Sequence, residues 1–541
     1  MTHAENMDWW KGGVIYQIYP RSYQDTNGDG IGDLNGITQR LPYISDLGVD
    51  AIWISPFFKS PMDDFGYDVS DYCDIDPMFG TMADFDTLLA TAHSLGLKVM
   101  VDMVLSHSSD QHPWFVESRA SRHNDKSDWY VWADPQFDGT PPNNWLSIFG
   151  GSAWQWDSRR EQYYLHNFLT SQPDLNFHCA EVQAALLAAT KFWLDKGVDG
   201  FRLDTINFYI HDQQLRSNPP LPAEKRNNSI APSVNPYNYQ EHVYSKNQPE
   251  NLDFIKHFRS LLNEYEGRTM LGEIGDAQYG LELLGQYTAG DQHAHMCYAF
   301  EFLGSNPMTP DWIKQTLEKV QDVAADGWAC WAFSNHDVVR HKSRWGLTDE
   351  ASKALTALMM CLRGSTCIYQ GEELGFNEAN VPFESLQDPY GIEFWPEYKG
   401  RDGCRTPMIW DANAQNGGFS TGNVWLPVEP GQFHREPNSQ VGVVGSMHSH
   451  YKQAIALRHS YHALAQGKIV CMRTTEQTIS FKRVLNDQVL FCSFNLSDDA
   501  VLVRLPEGRW ELVEQQLDGL VVPIGNEANL DAWQYVIAVQ A

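Results

Sequence analysis

Over the first two thirds of the chain, short unbroken apolar runs alternate with longer stretches in which apolar residues recur at helical spacing. The short runs are rich in β-branched and aromatic residues and too brief for helices, so they predict buried strands. They are VIYQIYP from Val14, AIWISP from Ala51, KVMVDMV from Lys98, GFRLDT from Gly200, TMLGEI from Thr269, HMCYAF from His295, CWAFSN from Cys330 and TCIYQG from Thr366. Strands alternating with helices predict parallel βα units, and eight of them predict an α/β chain folded as a (β/α)8 TIM barrel.

The gaps between runs predict where the barrel is interrupted. The gap after the third run is too long for a helix connection and reads as an inserted subdomain at 105–175. It divides the barrel into a first part, 1–104, and a second part, 176–465. Irregular insertions at about 210–250 and 375–445 follow the fourth and eighth runs. All three would leave from the strands' C-terminal ends, where such barrels build their sites. From 466 to 541 apolar and polar residues alternate between turns, as in TISFKRVLNDQVLFCSFNL, which predicts a C-terminal antiparallel β domain.

Composition then excludes several function classes. The 541 residues, 43% apolar and 13% aromatic, supply a large core. No apolar run approaches the ~18 residues of a membrane span, and the first residues lack the basic-then-apolar pattern of a secretory signal. The expectation is a cytoplasmic protein, monomer or homodimer, that does not engage the membrane. Nine scattered cysteines with no C-x-x-C pair read as buried, reduced thiols. A formal charge of −30 repels phosphate, which argues against nucleic acid and for a neutral substrate, although acidity equally serves solubility alone.

In GFRLDT, side chains alternate across the strand, so Arg202 and Asp204 share one face and Phe201 and Leu203 the other. In a barrel the apolar pair meets the helices and the charged pair points inward. Taken alone, that pair reads equally as a structural ion pair or as a catalytic group at a strand end. Other runs tip the balance. The fifth ends in LGEIGD with Glu273, the seventh leads to FSNHD with His336 and Asp337, and the third passes through Asp102 to His107. Carboxyls gathered at one mouth repel each other strongly unless the site uses that repulsion.

GFRLDT, the Glu of LGEIGD and FSNHD resemble three signature regions of glycoside hydrolase family 13, the α-amylase family. WWKGGVIYQIYPRSY, DTNGDGIGDL, GYDVSDY, SDQHPWF, YQGEELG and RDGCRTPM resemble its oligo-1,6-glucosidase and α-glucosidase branch, closest to bacterial α-glucosidases. QPDLN is similar to the marker separating that branch from endo-acting amylases. The resemblance implies Asp204 as nucleophile, kept ionised by Arg202, and Glu273 as general acid and base, its pKa raised by nearby carboxylates. It also implies Asp337 as the acid that stabilises an oxocarbenium-like transition state, with His107 and His336 hydrogen-bonding the first sugar. Ser106 stands where much of the family has Asn.

Asp64 and Tyr67 in DDFGYD and Arg401 in GRDGCRTPM resemble branch residues that grip the terminal sugar. An Asp–Arg pair there would close the pocket and enforce exo action; without the resemblance it would read as a surface pair worth little. Phe65 replaces the Asn common in that motif. Phe168 reads either as a pocket wall or as a core residue. Thr205 goes, in this branch, with α-1,4 linkages, where valine goes with α-1,6. The implied activity is an exo-acting, retaining α-glucosidase that releases α-glucose from maltose-type glucosides by double displacement, with transglucosylation. The alternatives are an α-1,6-preferring oligoglucosidase, a sucrose- or trehalose-type glucosyl transferase or isomerase, and a non-catalytic binding relative.

DTNGDGIGD sets Asp25, Asn27 and Asp29 at alternate positions before Gly30, as a calcium loop does, but Gly36 stands where an EF-hand needs its Glu. Asp33 and the carbonyl of Ile31 would complete a compact hard-cation site; the other reading is a glycine-rich acidic turn. The same loop in the resembling branch binds a divalent cation. The expectation is therefore a structural Ca²⁺, or Mg²⁺, and no organic cofactor.

Overall fold

The computed structural model describes residues 8–541 apart from Ala299. Eight strands form one parallel sheet: β1 (Val14–Ile18), β2 (Ala51–Ile54), β3 (Lys98–Met103), β4 (Gly200–Leu203), β5 (Thr269–Glu273), β6 (Met296–Tyr298), β7 (Cys330–Ala332) and β8 (Ser365–Tyr369). Neighbours pair in chain order from β1 to β6, and β8 lies between β1 and β7. A parallel bridge from Cys297 to Ala329 joins β6 to the start of β7 and closes the barrel. Each predicted run overlaps one of these strands.

A helix follows every strand: α1 (Leu34–Leu47), α2 (Met82–Ser94), α3 (Ala180–Lys196), α4 (Asn251–Leu262), α5 (Gly280–Tyr287), α6 (Pro310–Val323), α7 (Asp349–Met360) and α8 (Met447–Ser460). The last packs against α7 and α1 and completes the outer ring. Outward strand residues such as Ile52, Val101, Leu203 and Ile368 share one apolar layer with these helices. Phe201 meets Phe258 of α4 in the same layer. Inward residues, including Trp53, Met100, Leu271 and Cys367, fill the barrel above a floor of Trp9, Trp10 and Trp328. The inner layer is crowded at Gly200, where a Cβ would lie 2.9 Å from the Thr269 carbonyl oxygen. That glycine lets Arg202 stand above it.

Three excursions rise from the C-terminal ends of the strands. Leu175 N donates to Ser106 O at 3.0 Å and His107 bridges to Asp174, so the first excursion leaves and re-enters the barrel at one place. It carries a three-stranded antiparallel sheet of Trp132–Ala133, Trp154–Asp157 and Gln162–Leu165. The stretches 210–250 and 375–445 are built of turns and short helices over the barrel mouth. The C-terminal part is a five-stranded antiparallel sheet beginning at Lys468–Thr474, beside a two-stranded sheet of Val501–Arg504 and Glu527–Leu530. All nine thiols are free, but the expectation that all are buried fails: Cys471, on an edge strand, is exposed, and Cys73 and Cys179 are half-buried. Among the described residues, no helix is long and apolar enough to cross a membrane.

Candidate active site

Strand parity delivers Arg202 to the barrel axis, and register delivers its partners. Asp102 on β3 lies directly beside Arg202, and Glu273 stands two residues above Arg202's neighbour Leu271 on β5. Arg202 Nη1 donates to Asp102 Oδ1 at 2.9 Å and to Asp204 Oδ1 at 2.6 Å. Nη2 stands 2.6 Å from Glu273 Oε2 and donates to Tyr298 Oη at 2.8 Å, and Tyr298 Oη in turn donates to Glu273 Oε1 at 3.0 Å. One buried guanidinium thus serves three carboxyls from three adjacent strands.

Burial dominates the titration of all three. It lifts Asp204 and Glu273 to about 7 and Asp102 to about 6, against the downward pull of Arg202. Arg202 favours the ionised form of Asp204, in the direction expected, but one positive charge divided among three desolvated acids does not offset their burial. Glu273 is raised as expected, but by burial first and by Asp204 and Asp337 second. Two acids held on one cation titrate as a pair, and near neutrality they share a proton.

Asp337 goes the other way. Burial pushes it up, but His336 and the guanidinia of Arg405 and Arg401 hold it well below the carboxylate range. Burial also keeps His336 neutral, so the arginines carry the effect, Arg405 Nη2 at 2.9 Å and Arg401 Nη1 at 3.3 Å from Asp337 Oδ1. The cluster therefore sets an ionised acid opposite a pair that shares a proton.

Arg401 forms one side of the mouth. Its Nη2 donates to Asp64 Oδ1 at 2.7 Å and to Asp388 Oδ1 at 2.8 Å, and Nε reaches Asp388 Oδ2 at 3.1 Å. Both members of the Asp64–Arg401 pair are buried, which removes the surface-pair reading. Tyr67 stacks on His336 with ring centroids 5.3 Å apart, and its hydroxyl donates to Asp102 Oδ2 at 3.0 Å. His107 is lowered to about 4 by burial and is neutral, with Nε2 2.9 Å from Tyr67 O and Nδ1 2.8 Å from Ser106 Oγ.

These groups surround a cavity of about 360 Å³. Asp204, Glu273, Asp337, Asp64, Tyr67, His107, Thr205, Phe168 and Arg401 line it; Arg202 and His336 do not, since they lie buried beneath the carboxyls and the Tyr67 ring. Phe168 packs against His107, Phe149 and Phe208 and is at once wall and packing residue.

Thr205 sits at φ 39°, in the left-handed region that β-branched residues avoid. The bend turns its amide to Glu273 Oε2 at 3.1 Å and its hydroxyl to Asp204 Oδ2 at 3.2 Å. Ser106 Oγ, the family departure, lies 3.2 Å from Thr205 Oγ1 and so bridges His107 to the strand end that bears Asp204.

In the aspartate loop, Asp25, Asn27 and Asp29 form successive side-chain turns onto the amides of Asn27, Asp29 and Ile31. Gly30 takes φ 91° against Asn423, where no side chain would fit. The donors are all hard oxygens, as Ca²⁺ prefers. Asp33 faces away from this role: it caps α1 through Gly36 N at 2.7 Å and takes Thr26 N at 2.8 Å. Among the described residues, no group of three or more His, Cys, Asp or Glu is drawn together as around a metal.

Three contributors escape the sequence reading. Tyr298 was within reach of strand parity, and Arg405 lies four residues after Arg401 in a motif already singled out. Asp388 sits in an irregular loop with no local signal.

The family model described as "Alpha amylase, catalytic domain" matches residues 17–467. A "Probable alpha-glucosidase" of Rhizobium meliloti (strain 1021) is 60% identical over 97% of this chain and 96% of its own. An "Oligo-1,6-glucosidase" of Heyndrickxia coagulans is 38% identical over 94% of this chain and 95% of its own. Among solved structures, the alpha-glucosyl transfer enzyme XgtA superposes with TM-score 0.95 at 52% identity, covering 98% of this chain and 99% of its own. Barrel, carboxyl cluster and full-length similarity agree: the chain belongs to the α-amylase family, glycoside hydrolase family 13, and is an enzyme of that family.

Proposed function

We propose that this enzyme is an exo-acting, retaining α-glucosidase that releases glucose from the non-reducing end of short, α-1,4-linked, maltose-type glucosides. The observation that carries the reading is the seating of Asp204 and Glu273 on adjacent nitrogens of Arg202, each at 2.6 Å. Carboxyls so held suit the roughly 5–5.5 Å separation of a retaining pair better than the roughly 6.5–9.5 Å gap an inverting enzyme leaves for water.

Asp204 attacks the anomeric carbon while Glu273 gives its proton to the departing oxygen, so the glycosidic bond breaks as the aspartyl ester forms. Glu273, now a carboxylate, takes a proton from water, whose oxygen displaces Asp204 and restores the α configuration. Asp337, ionised throughout, stabilises the positive charge that develops on the ring. Asp64 and Arg401 bind the terminal hydroxyls and close the cavity beyond them, which limits cleavage to one glucose. The aspartate loop takes a structural Ca²⁺ through Asp25, Asn27, Asp29 and the Ile31 carbonyl.

Glucosyl transfer is the second reading, favoured by the similarity to XgtA and by a cavity wall of Phe149, Phe168, Phe208 and Phe300, on which a sugar acceptor competes well with water. One NMR experiment tests both: with maltose, fresh glucose is expected as the α anomer, and trisaccharide grows with sugar concentration. Fresh β-glucose overturns the retaining reading; hydrolysis without trisaccharide overturns transfer.

A further inference from the structure

His107, Ser106, Thr205 and Asp204 form a buried row of hydrogen bonds whose protons can be assigned one by one. His107 is neutral and carries a single ring proton. Its Nε2 lies 2.9 Å from the Tyr67 carbonyl, which can only accept, so the proton is there and Nδ1 is bare. Gln172 Nε2 does not compete, because Asp64 Oδ2 at 3.1 Å and the same carbonyl take its two hydrogens. Ser106 Oγ, 2.8 Å from Nδ1, therefore donates to it. Its one proton is spent, and toward Thr205 it can only accept.

Thr205 thus has one hydroxyl proton and two acceptors for it, Asp204 Oδ2 and Ser106 Oγ, each at 3.2 Å. Both separations exceed the roughly 2.5–3.0 Å of a settled hydroxyl bond, so the O–H can turn to either side. The left-handed backbone at Thr205 holds the hydroxyl between the two acceptors. Arg202 occupies Oδ1 of Asp204, and among the described residues only Thr205 donates to Oδ2. A carboxylate draws the O–H, because a charge-assisted bond is the stronger; an ester oxygen has no such pull. The charge on Asp204 decides which way the hydroxyl points.

We propose that Ser106 is a positioning residue of the displacement, taking up the Thr205 hydroxyl bond as Asp204 passes from carboxylate to glucosyl ester. No proton is transferred: the hydrogen stays on Thr205 Oγ1 and only the O–H turns. The covalent change is the displacement itself, in which the bond from Asp204 to the anomeric carbon forms as the glycosidic bond breaks. The hydrogen bond lost by the fading carboxylate is regained at Ser106, which eases formation of the ester and does nothing for its hydrolysis. Ser106 does this without lining the cavity. The inference rests on Asp204 as nucleophile and adds to that reading a residue that acts through Thr205.

A double-mutant cycle with Thr205→Val tests it. On para-nitrophenyl α-glucoside, Ser106→Ala should lower kcat/KM about fivefold, the worth of one hydrogen bond. Beside Thr205→Val it should have no effect, because no hydroxyl is left to accept. Breakdown of the ester trapped with a ring-fluorinated glucosyl fluoride should not slow. Ser106→Cys, whose sulfur accepts weakly, should show the same dependence on Thr205 and serves if Ser106→Ala folds poorly. Equal losses in both backgrounds place the role of Ser106 at His107 alone and overturn the proposal. So does no loss in either, or breakdown slowed as much as formation. Mass spectrometry of the trapped wild-type chain keeps the two readings apart. An unlabelled Asp204 sinks the nucleophile assignment itself, whereas a labelled Asp204 with no dependence on Ser106 overturns this proposal alone.

Discussion

Arg202 Nη2 stands 2.6 Å from Glu273 Oε2 in the barrel interior, where both side chains are buried. Because the same guanidinium also serves Asp204 and Asp102, none of these three acids has a cation of its own. Burial raises all three, and one shared charge does not offset it.

The first prediction concerns pH. Asp204 and Glu273 are raised to about 7 in the folded chain, against about 4 unfolded. Below the unfolded value both states hold the protons, and the stabilising contribution is complete; as pH rises through about 7 it is lost. Melting temperature should fall between about pH 4 and 7, and Glu273→Gln should remove on the order of a few kcal/mol of that pH-dependent stability. kcat/KM should decline above about pH 7 as the pair loses its shared proton. A variant whose melting slope equals the wild type's would count against the raised values.

The second prediction follows from the Arg401 fork. Lysine cannot reach Asp64, Asp388 and Asp337 together, and Asp388 would be left buried and unpaired. Arg401→Lys should destabilise the chain by about 3–5 kcal/mol in chemical denaturation. It should also lower kcat/KM on maltose more than on maltotetraose, because the cap beyond the terminal sugar is opened. Equal losses on both sugars would detach Arg401 from chain-length control.

Thr205 carries the third. Its hydroxyl lies within 3.2 Å of both Asp204 Oδ2 and Ser106 Oγ. Thr205→Val keeps the shape and removes both bonds, at about 1 kcal/mol, or roughly fivefold in kcat/KM on maltose. The isomaltose-to-maltose ratio should rise. Wild-type enzyme that prefers isomaltose would refute the α-1,4 assignment.

The fourth addresses the aspartate loop. Dialysis against EDTA should release about one Ca²⁺ per chain and lower the melting temperature by several degrees, with kcat unchanged at a temperature where the chain stays folded. Asp29→Ala should reproduce the loss of metal. Unaltered metal content and melting after chelation would leave the loop an acidic turn.

The sequence by itself determined the barrel, because parity and run length are local: Phe201 and Leu203 had to face helices and Arg202 and Asp204 the axis, whatever the rest of the chain did. It likewise brought Glu273, His107 and Asp337 to strand ends, and with them most of the cavity wall. Only the tertiary structure decided the charges. How far Arg202 lowers Asp204 depends on how many acids share it and how much water reaches them, and neither quantity is written in any one segment. The same holds for Asp388, brought to Arg401 by an irregular loop. Local pattern fixes which face a side chain takes; the company it keeps there is set by long-range packing.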